Sequence, residues 1–322
     1  MTLKNYLKEI NLDSNLAKLI SDLEGVLIHI SQEIESASLQ NKMGKTDNIN
    51  VQNEYQSNLD IETNRIFLDK FRNHDSVYAL ISEEEELPVK NEFKDGQYNI
   101  FFDPLDGSSN VDANITVGTI FSIFLANHAD DILSKGKEQK VAGFVTYGAS
   151  CHLVIAFADC GVQQFTLNRQ LQEFQLTKKN ILIPEETENF AINMSHYHAW
   201  DGSVRSYIDD CLKGKIGPRH KKFNMRWVGS LVADINRILN HGGVYLYPLN
   251  QENISQNGRL RLMYEINPMA FIVKAAGGEA TDFQQDILEL IPQNIHERVP
   301  IAIGSKNEVN KIMTYRMEKC NV

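Results

Sequence analysis

The sequence predicts an α/β protein built from two packed halves. Three observations predict it. The chain has 322 residues, room for two domains of roughly 150 residues or one large one. Amphipathic helices and a run of short strands come first, and alternating helices and strands follow, the pattern of layered α/β architectures. Hydrophobic residues make up 42% and charged residues 23%, which fits a globular core and excludes disordered or collagen-like chains.

Each element follows from its own pattern. Leu16, Leu19, Ile20, Leu23, Leu27, Ile30 and Ile34 recur at helical spacing, so a long amphipathic helix runs to about Leu39. The polar, Asn-rich stretch from Gln40 to Asn58 reads as a loop. A second helix covers Leu59 to Phe71, with Leu59, Thr63, Ile66, Phe67 and Phe71 on one face. Strands are predicted at Val77–Ile81, Tyr98–Phe102, Thr119–Leu125, Val141–Tyr147, Leu153–Phe157 and Gly161–Leu167. The polar segment Leu171–Glu188 marks the boundary between halves 1–185 and 186–322. Beyond it come helices at Ser203–Leu212 and Ser230–Leu239 and strands at Gly243–Tyr247 and Arg261–Glu265. A last helix takes Asn267 as N-cap and Pro268 at its first position, and stops at Gly277-Gly278.

Charge and motifs narrow the function. Lys plus Arg number 32 against 42 Asp plus Glu, a net charge of 32 − 42 = −10, which argues against duplex nucleic acid as the main partner. The four cysteines are scattered and form no CxxC pair, which fits a reducing compartment. The N-terminus lacks a continuous apolar signal core, and the longest uncharged stretch, Val141–Ala158, is broken by glycines. The expectation is a cytoplasmic protein with no membrane partner. No GxGxxG occurs, and Gly44-Lys45-Thr46 has Leu39 where a P-loop needs glycine. Gly148-Ala149-Ser150-Cys151-His152 lacks the last glycine of a nucleophile elbow. None of the nine histidines forms a metal pair, and none is assigned a role.

The acids carry the most information. Asp103-Pro104-Leu105-Asp106-Gly107-Ser108-Ser109 follows directly on a strand. As a β-turn this is ordinary chemistry. As a site, two carboxylates three residues apart share divalent cations with the Leu105 carbonyl, and the amides of Gly107, Ser108 and Ser109 cradle a phosphate. Ser82-Glu83-Glu84-Glu85-Glu86 and Glu265 also stand at predicted strand ends, where open α/β sheets gather ligands. Glu85 and Glu86 read as a solvated charge run. Asp60, in the first turn of its helix, serves the helix dipole as readily as a site. Mg²⁺ takes oxygen ligands and commonly sits between carboxylates and phosphate, and phosphoryl transfer asks mainly for positioning and electrostatics. Arg226, Arg259 and Arg261 are cations suited to a second phosphate, with Arg261 reading better as a surface charge.

Together, Ser82-Glu83-Glu84, Asp103 to Asn110, Val117-Gly118-Thr119-Ile120-Phe121, Trp227 to Asp234, Gly242–Pro248 and Tyr264 to Ala270 resemble class 1 fructose-1,6-bisphosphatases, from about Asn50 onward. The Asp-Pro-Leu-Asp-Gly-Ser core is shared with inositol monophosphatase and its lithium-sensitive relatives, but those have a Trp-Asp motif where this chain has Glu265 and Asn267-Pro268-Met269-Ala270. The resemblance implies a layered α-β-α-β-α sugar phosphatase fold and Mg²⁺-dependent hydrolysis of the 1-phosphate of fructose 1,6-bisphosphate. It implies two or three ions (Mg²⁺, with Mn²⁺ as an alternative) on Glu83, Asp103, the Leu105 carbonyl, Asp106 and Glu265. Asp60, Glu84 and the loop acid Glu54 match acids that act on the attacking water. Asp106, Gly107, Ser108, Ser109, Asn193, Arg226, Tyr247 and Arg259 match substrate contacts, Arg226 being donated to a neighbouring subunit of a homotetramer. The family's phosphate loop for inhibitory AMP corresponds to Ser14-Asn15-Leu16-Ala17, and its basic partners fall on Gln97 and Leu125, while Tyr98 remains. Weak or absent AMP inhibition is expected. The competing readings are a phosphatase of sedoheptulose 1,7-bisphosphate or inositol phosphate, and a catalytically silent sensor, which would have lost a ligand.

Overall fold

The computed structural model describes residues 1–40, 45–49, 55–92, 95–127 and 132–320. Helices α1 (Leu3–Glu9) and α2 (Ser14–Ser36) open the chain; Asp13 caps α2 by accepting the Asn15 and Leu16 amides, both at 3.0 Å. The predicted loop holds a small antiparallel pair, β1 (Lys45–Ile49) with β2 (Tyr55–Ser57). Helix α3 (Asn58–Phe71) follows.

The first sheet has eight strands. They are β3 (Val77–Ser82), β4 (Val89–Lys90), β5 (Tyr98–Asp106), β6 (Val117–Leu125), β7 (Val141–Tyr147), β8 (Cys151–Phe157), β9 (Gly161–Asn168) and β10 (Glu173–Lys178). Their order is β10-β9-β8-β7-β6-β5-β3-β4, antiparallel except for β3 with β5. Strand β10 lies inside the polar segment read from sequence as a boundary. It has one buried residue, Phe174, so alternation was too faint to announce it.

The second half contributes β11 (Asn189–Ala191), α4 (Gly202–Leu212), β12 (Asn224–Met225), α5 (Leu231–His241) and β13 (Val244–Tyr247). Then come β14 (Leu260–Arg261), α6 (Asn267–Ala275), β15 (Glu279–Thr281), β16 (Arg298–Val299), β17 (Ile301–Gly304) and α7 (Lys306–Cys320). A mixed five-stranded sheet runs β12-β11-β13-β17-β15.

Side-chain alternation sets the layers. In β7 and β8, Val141, Val145, Leu153 and Ile155 face α2 and α3, whereas Ala142, Phe144, Val154 and Ala156 face α5 and α6. In the second sheet, Tyr245, Ile301 and Ile303 meet α5 and α6 from the other side. Val244, Leu246 and Ala302 face α4 and α7, packing on Val204, Ile208, Val309 and Ile312. The layers are therefore α-β-α-β-α, as the sequence leads one to expect. No helix among the described residues is long and apolar enough to cross a membrane.

One buried ion pair fastens the outermost layer. Arg219 holds both oxygens of Glu308 at 2.8 and 2.9 Å, and the Tyr207 hydroxyl donates to the same carboxylate at 2.7 Å. The pair is 8% and 3% exposed, so removing one partner strands a buried charge. Arg219→Ala is expected to cost about 3–5 kcal/mol, read as a lower denaturant midpoint at unchanged slope; a loss under about 1 kcal/mol would refute this.

Candidate active site

The site begins where β5 loses its regular register. Opposite β6, Asp103 pairs with Ile120 and Asp106 with Gly118, so three steps on β5 face two on its neighbour. In a regular strand, residues 103 and 106 would point to opposite faces. The extra residue of this bulge puts both on one face, at Pro104, which has no amide to lose from the ladder. The Asp103 carboxylate accepts the Leu105 amide at 2.9 Å. The Pro104 carbonyl accepts from Thr119 Oγ1 at 2.9 Å, itself 2.9 Å from the Tyr147 hydroxyl. The segment is thus a bulged strand end rather than a free turn.

Helix α5 arrives from the other half. Asp106 Oδ2 accepts the Val232 amide at 3.0 Å, with the Leu231 amide also bonded. Gly118 permits the approach: a Cβ there would lie 2.7 Å from Val232 Cγ2 and 2.1 Å from the Val145 carbonyl. Gly107 has φ +76° and would meet Ser230 Oγ at 3.2 Å if it carried a Cβ, so a left-handed glycine turns the chain into Ser108–Asn110. Asn110 Nδ2 then donates to the Gly229 carbonyl at 3.0 Å.

Glu265 reaches the cluster by another irregularity. The predicted strand Arg261–Glu265 ends at Arg261, and Leu262–Ile266 is a π-helical turn. Asn267 is already helical (φ −59°, ψ −48°) and bonds back to the Leu262 carbonyl, so it is not the N-cap expected of it. The wider turn continues into α6 and swings Glu265 inward; π-bulges of this kind recur at functional sites. The ligand oxygens of Asp103, Asp106 and Glu265 all lie within 4.8 Å of one another. The three residues are 4%, 7% and 3% exposed.

Arg261, expected at the surface, is 4% exposed. Its Nη1 lies 2.9 Å from Glu83 Oε1 and 3.8 Å from Glu265 Oε2. Nothing in composition distinguishes it from an exposed arginine; it ends β14, paired with Arg298 of β16, immediately before the turn that carries Glu265. Glu83 is buried and hydrogen-bonded to Asp103. Asp60 serves both readings, closing a capping box with Ser57 (2.7 and 3.1 Å) while bonding Ser108. Glu84 is half-buried beside Ser82, whose Oγ accepts its amide at 3.2 Å. Glu85 departs from the solvated run: it is half-buried and accepts from Asn64 Nδ2 at 2.7 Å. Glu54 lies outside the described residues.

The electrostatics follow from this crowding. Burial, then the charges of Glu83, Asp106 and Glu265, hold the Asp103 carboxyl well above its usual range. Burial pushes Asp106 up to about 7 and Glu265 to about 8, the latter with Glu83 as the next cause. Asp60 is also raised, chiefly by burial. Four acids sharing one arginine cannot all ionise without further positive charge. The donor set is all oxygen, which fits a hard divalent cation.

On the sugar side, Asn193 and Tyr247 line one small hollow with His196, Trp200, Pro248 and Asn250. Asn193 Oδ1 accepts from the Ser195 amide and hydroxyl at 3.2 and 2.8 Å. Burial raises Tyr247, the Arg259 charge opposes it, and the charges of Glu252 and Glu265 add to it. Trp227 stacks on Tyr245 at 5.4 Å and 17°. Arg226 is exposed, its amide bonded to the Phe190 carbonyl at 2.8 Å; within one chain it is not drawn into that hollow. Sequence reading missed the amides of Leu231 and Val232, Ser230 and Arg261. Of these, only the start of α5 carried a signal.

Residues 1–179 match the family model described as fructose-1-6-bisphosphatase, N-terminal domain, and residues 183–317 match its C-terminal domain. A class 1 fructose-1,6-bisphosphatase of Halorhodospira halophila (strain DSM 244 / SL1) is 47% identical, covering 98% of each chain. Leishmania major fructose-1,6-bisphosphatase in holo form superposes with a TM-score of 0.92 at 34% identity, over 98% of this chain and 99% of that one. The T-state of the same enzyme gives 0.86 at 33% identity, over 98% of each.

Proposed function

The chain belongs to the class 1 fructose-1,6-bisphosphatase family, and from that premise we propose how its residues share the reaction. It hydrolyses fructose 1,6-bisphosphate to fructose 6-phosphate and phosphate, the phosphatase step of gluconeogenesis. The convergence of Asp103, Asp106 and Glu265 within 4.8 Å is the observation that carries the site assignment.

Glu83, Asp103, Asp106, Glu265 and the Leu105 carbonyl would hold two or three Mg²⁺ (or Mn²⁺) ions. When bound, such ions neutralise phosphate charge, polarise phosphorus and acidify water. The amides of Gly107, Ser108 and Ser109 take the oxygens of the 1-phosphate, beside the N-terminus of α5. Asp60, joined to Ser108 and raised by burial, accepts the proton of the attacking water with Glu84; Glu54 is assigned to the same task. Water attacks phosphorus in line, and the bond from phosphorus to the sugar's C1 oxygen breaks. Asn193, Tyr247 and Arg259 hold the sugar and its 6-phosphate. Arg226, exposed and apart from them, completes the neighbouring site of a cytoplasmic homotetramer.

The AMP expectation gains a physical basis. Asp13 occupies the N-terminus of α2, and the Tyr98 hydroxyl donates to its carboxylate at 3.0 Å. Gln97 is bonded to Asn15 at 3.0 Å, and Leu125 is 52% exposed. A nucleotide phosphate there meets an anion with neither cation to offset it.

Phosphate release from fructose 1,6-bisphosphate, sedoheptulose 1,7-bisphosphate and inositol monophosphate, with and without Mg²⁺, tests the assignment. Mg²⁺-dependent turnover of fructose 1,6-bisphosphate, unaffected by AMP, is expected. A preference for inositol monophosphate would overturn the substrate assignment, and tight AMP inhibition would overturn the regulatory one.

A further inference from the structure

We infer that His296 is a positioning residue that sets the affinity of the carboxylate cluster for its cations, a reading that rests on the metal-dependent assignment above. The ring reaches both walls of the site. Its Nδ1 is hydrogen-bonded to the Tyr264 hydroxyl, and its Nε2 lies 3.3 Å from the Glu86 carbonyl. Tyr264 immediately precedes Glu265 on the π-helical turn, and Glu86 ends the acidic run that carries Glu83 and Glu84.

The chemistry fixes the tautomer. A carbonyl can only accept, so Nε2 carries the proton, and a neutral ring then accepts the Tyr264 O–H at Nδ1. Burial holds the ring's own pKa below its ordinary value, in keeping with that neutral form. Tyr264 is fully buried against Ala79, Ile81 and Phe101 and meets His296 edge-on, centroids 5.8 Å apart. It is therefore a fixed post from which the histidine reaches the acidic run. The histidine is itself seated, its amide donating to Asn294 Oδ1 at 3.0 Å.

Why a tie is needed follows from the charges. Glu83 directly follows β3 in the first half, and Glu265 comes from the second half of the chain. Like charges at the cluster push these two segments apart. Among the described residues, polar ties at Arg261 and at His296 cross between them. Arg261 bonds Glu83 at 2.9 Å, but it uses a carboxylate that a cation needs, so binding and the tie compete. His296 uses a hydroxyl and a carbonyl and occupies no ligand oxygen. It can hold the walls at the spacing a cation requires, before and after the cation enters.

The test uses the full chain with Mn²⁺ as probe. His296→Phe keeps a ring against Tyr264 and loses both nitrogens. Free Mn²⁺ counted by electron paramagnetic resonance, without substrate, should show the dissociation constant rising about tenfold, with half-saturating Mg²⁺ rising likewise and kcat at saturating Mg²⁺ within about threefold. Tyr264→Phe removes the other end and should weaken Mn²⁺ binding alike, and the double variant should be no worse than either single one. Should His296→Phe fail to fold by circular dichroism, Tyr264→Phe decides alone. Unchanged Mn²⁺ affinity, or losses that multiply in the double variant, overturns the inference. Turnover by the unaltered chain tests the enzyme assignment separately. An active enzyme whose variants bind Mn²⁺ normally defeats the tie alone. A chain that binds Mn²⁺ through the tie yet leaves the sugar bisphosphate intact defeats the assignment alone.

Discussion

Asp106→Ala should lower phosphate release from fructose 1,6-bisphosphate on the order of a thousandfold at saturating Mg²⁺, about 4 kcal/mol of lost transition-state stabilisation. Asp106 is where the two halves meet: it shares the cluster with Asp103 and Glu265 and accepts the amides at the start of α5. In the proposed assignment, its removal takes away a cation ligand and loosens the helix beside the phosphate cradle together. Stability should change far less. Two amides lose a partner, at about 1–3 kcal/mol, while a carboxylate that repels its neighbours disappears. Circular dichroism should therefore show a folded variant at ambient temperature. A folded variant keeping a tenth of the parent rate would contradict the central role given to this side chain.

Withdrawing divalent cations should abolish turnover and also make stability depend on pH in a definite direction. Asp106 at about 7 and Glu265 at about 8 stand above their ordinary 3.8 and 4.5. The folded chain thus keeps protons that the unfolded chain releases. The stability gained is fully present below the unfolded pKa values and is lost as pH rises through the folded ones. The window is about pH 4 to 8. Asp22 and Asp201 are lowered, so their contributions vanish only below that window. His152 and His296, pushed down by burial, oppose part of the trend. In a chelator, the unfolding temperature should drop by about 5 °C or more between pH 5 and pH 8. Mg²⁺ should restore it at pH 8 and do little at pH 5. An unfolding temperature that climbs over that range without metal would show that the cluster is not the crowded acidic site described.

Regular elements were legible because burial has a period. The apolar stripe of α2 and the strands β3 and β6 to β9 announce themselves within a residue or three of their observed ends, whereas the two-residue β4 gave no signal and β5 runs four residues past its expected end. The five-layer order came from the family resemblance, and the structure shows both faces of the first sheet covered. Four features of the site were not legible, for related reasons. The bulge at Asp103–Asp106 and the π-turn at Leu262–Ile266 are departures from a period, and periodicity cannot encode its own interruption. The segment 261–265 therefore passed for a strand, and Asn267 for a cap. Arg261 is buried at the end of β14, just before that turn, and no local composition separates it from Arg259, which is exposed. His296 is a lone histidine in a polar stretch, and its importance depends on Tyr264 and Glu86, brought to it by the tertiary fold. The convergence of Asp103, Asp106 and Glu265, with Glu83 beside Asp103, was anticipated, since oxygen-rich segments at strand ends need no periodicity to be noticed.

The extra residue between Asp103 and Asp106 has a consequence for how this segment tolerates change. What aims the two carboxylates together is a count, and the intervening side chains contribute comparatively little to it. Substituting position 105 alters one contact, whereas inserting a residue between the acids without widening the bulge reverses one of them to the far side. Gain of a single codon there is thus a graver event than most missense changes, and grafting the site onto another scaffold must preserve the bulge together with the spacing.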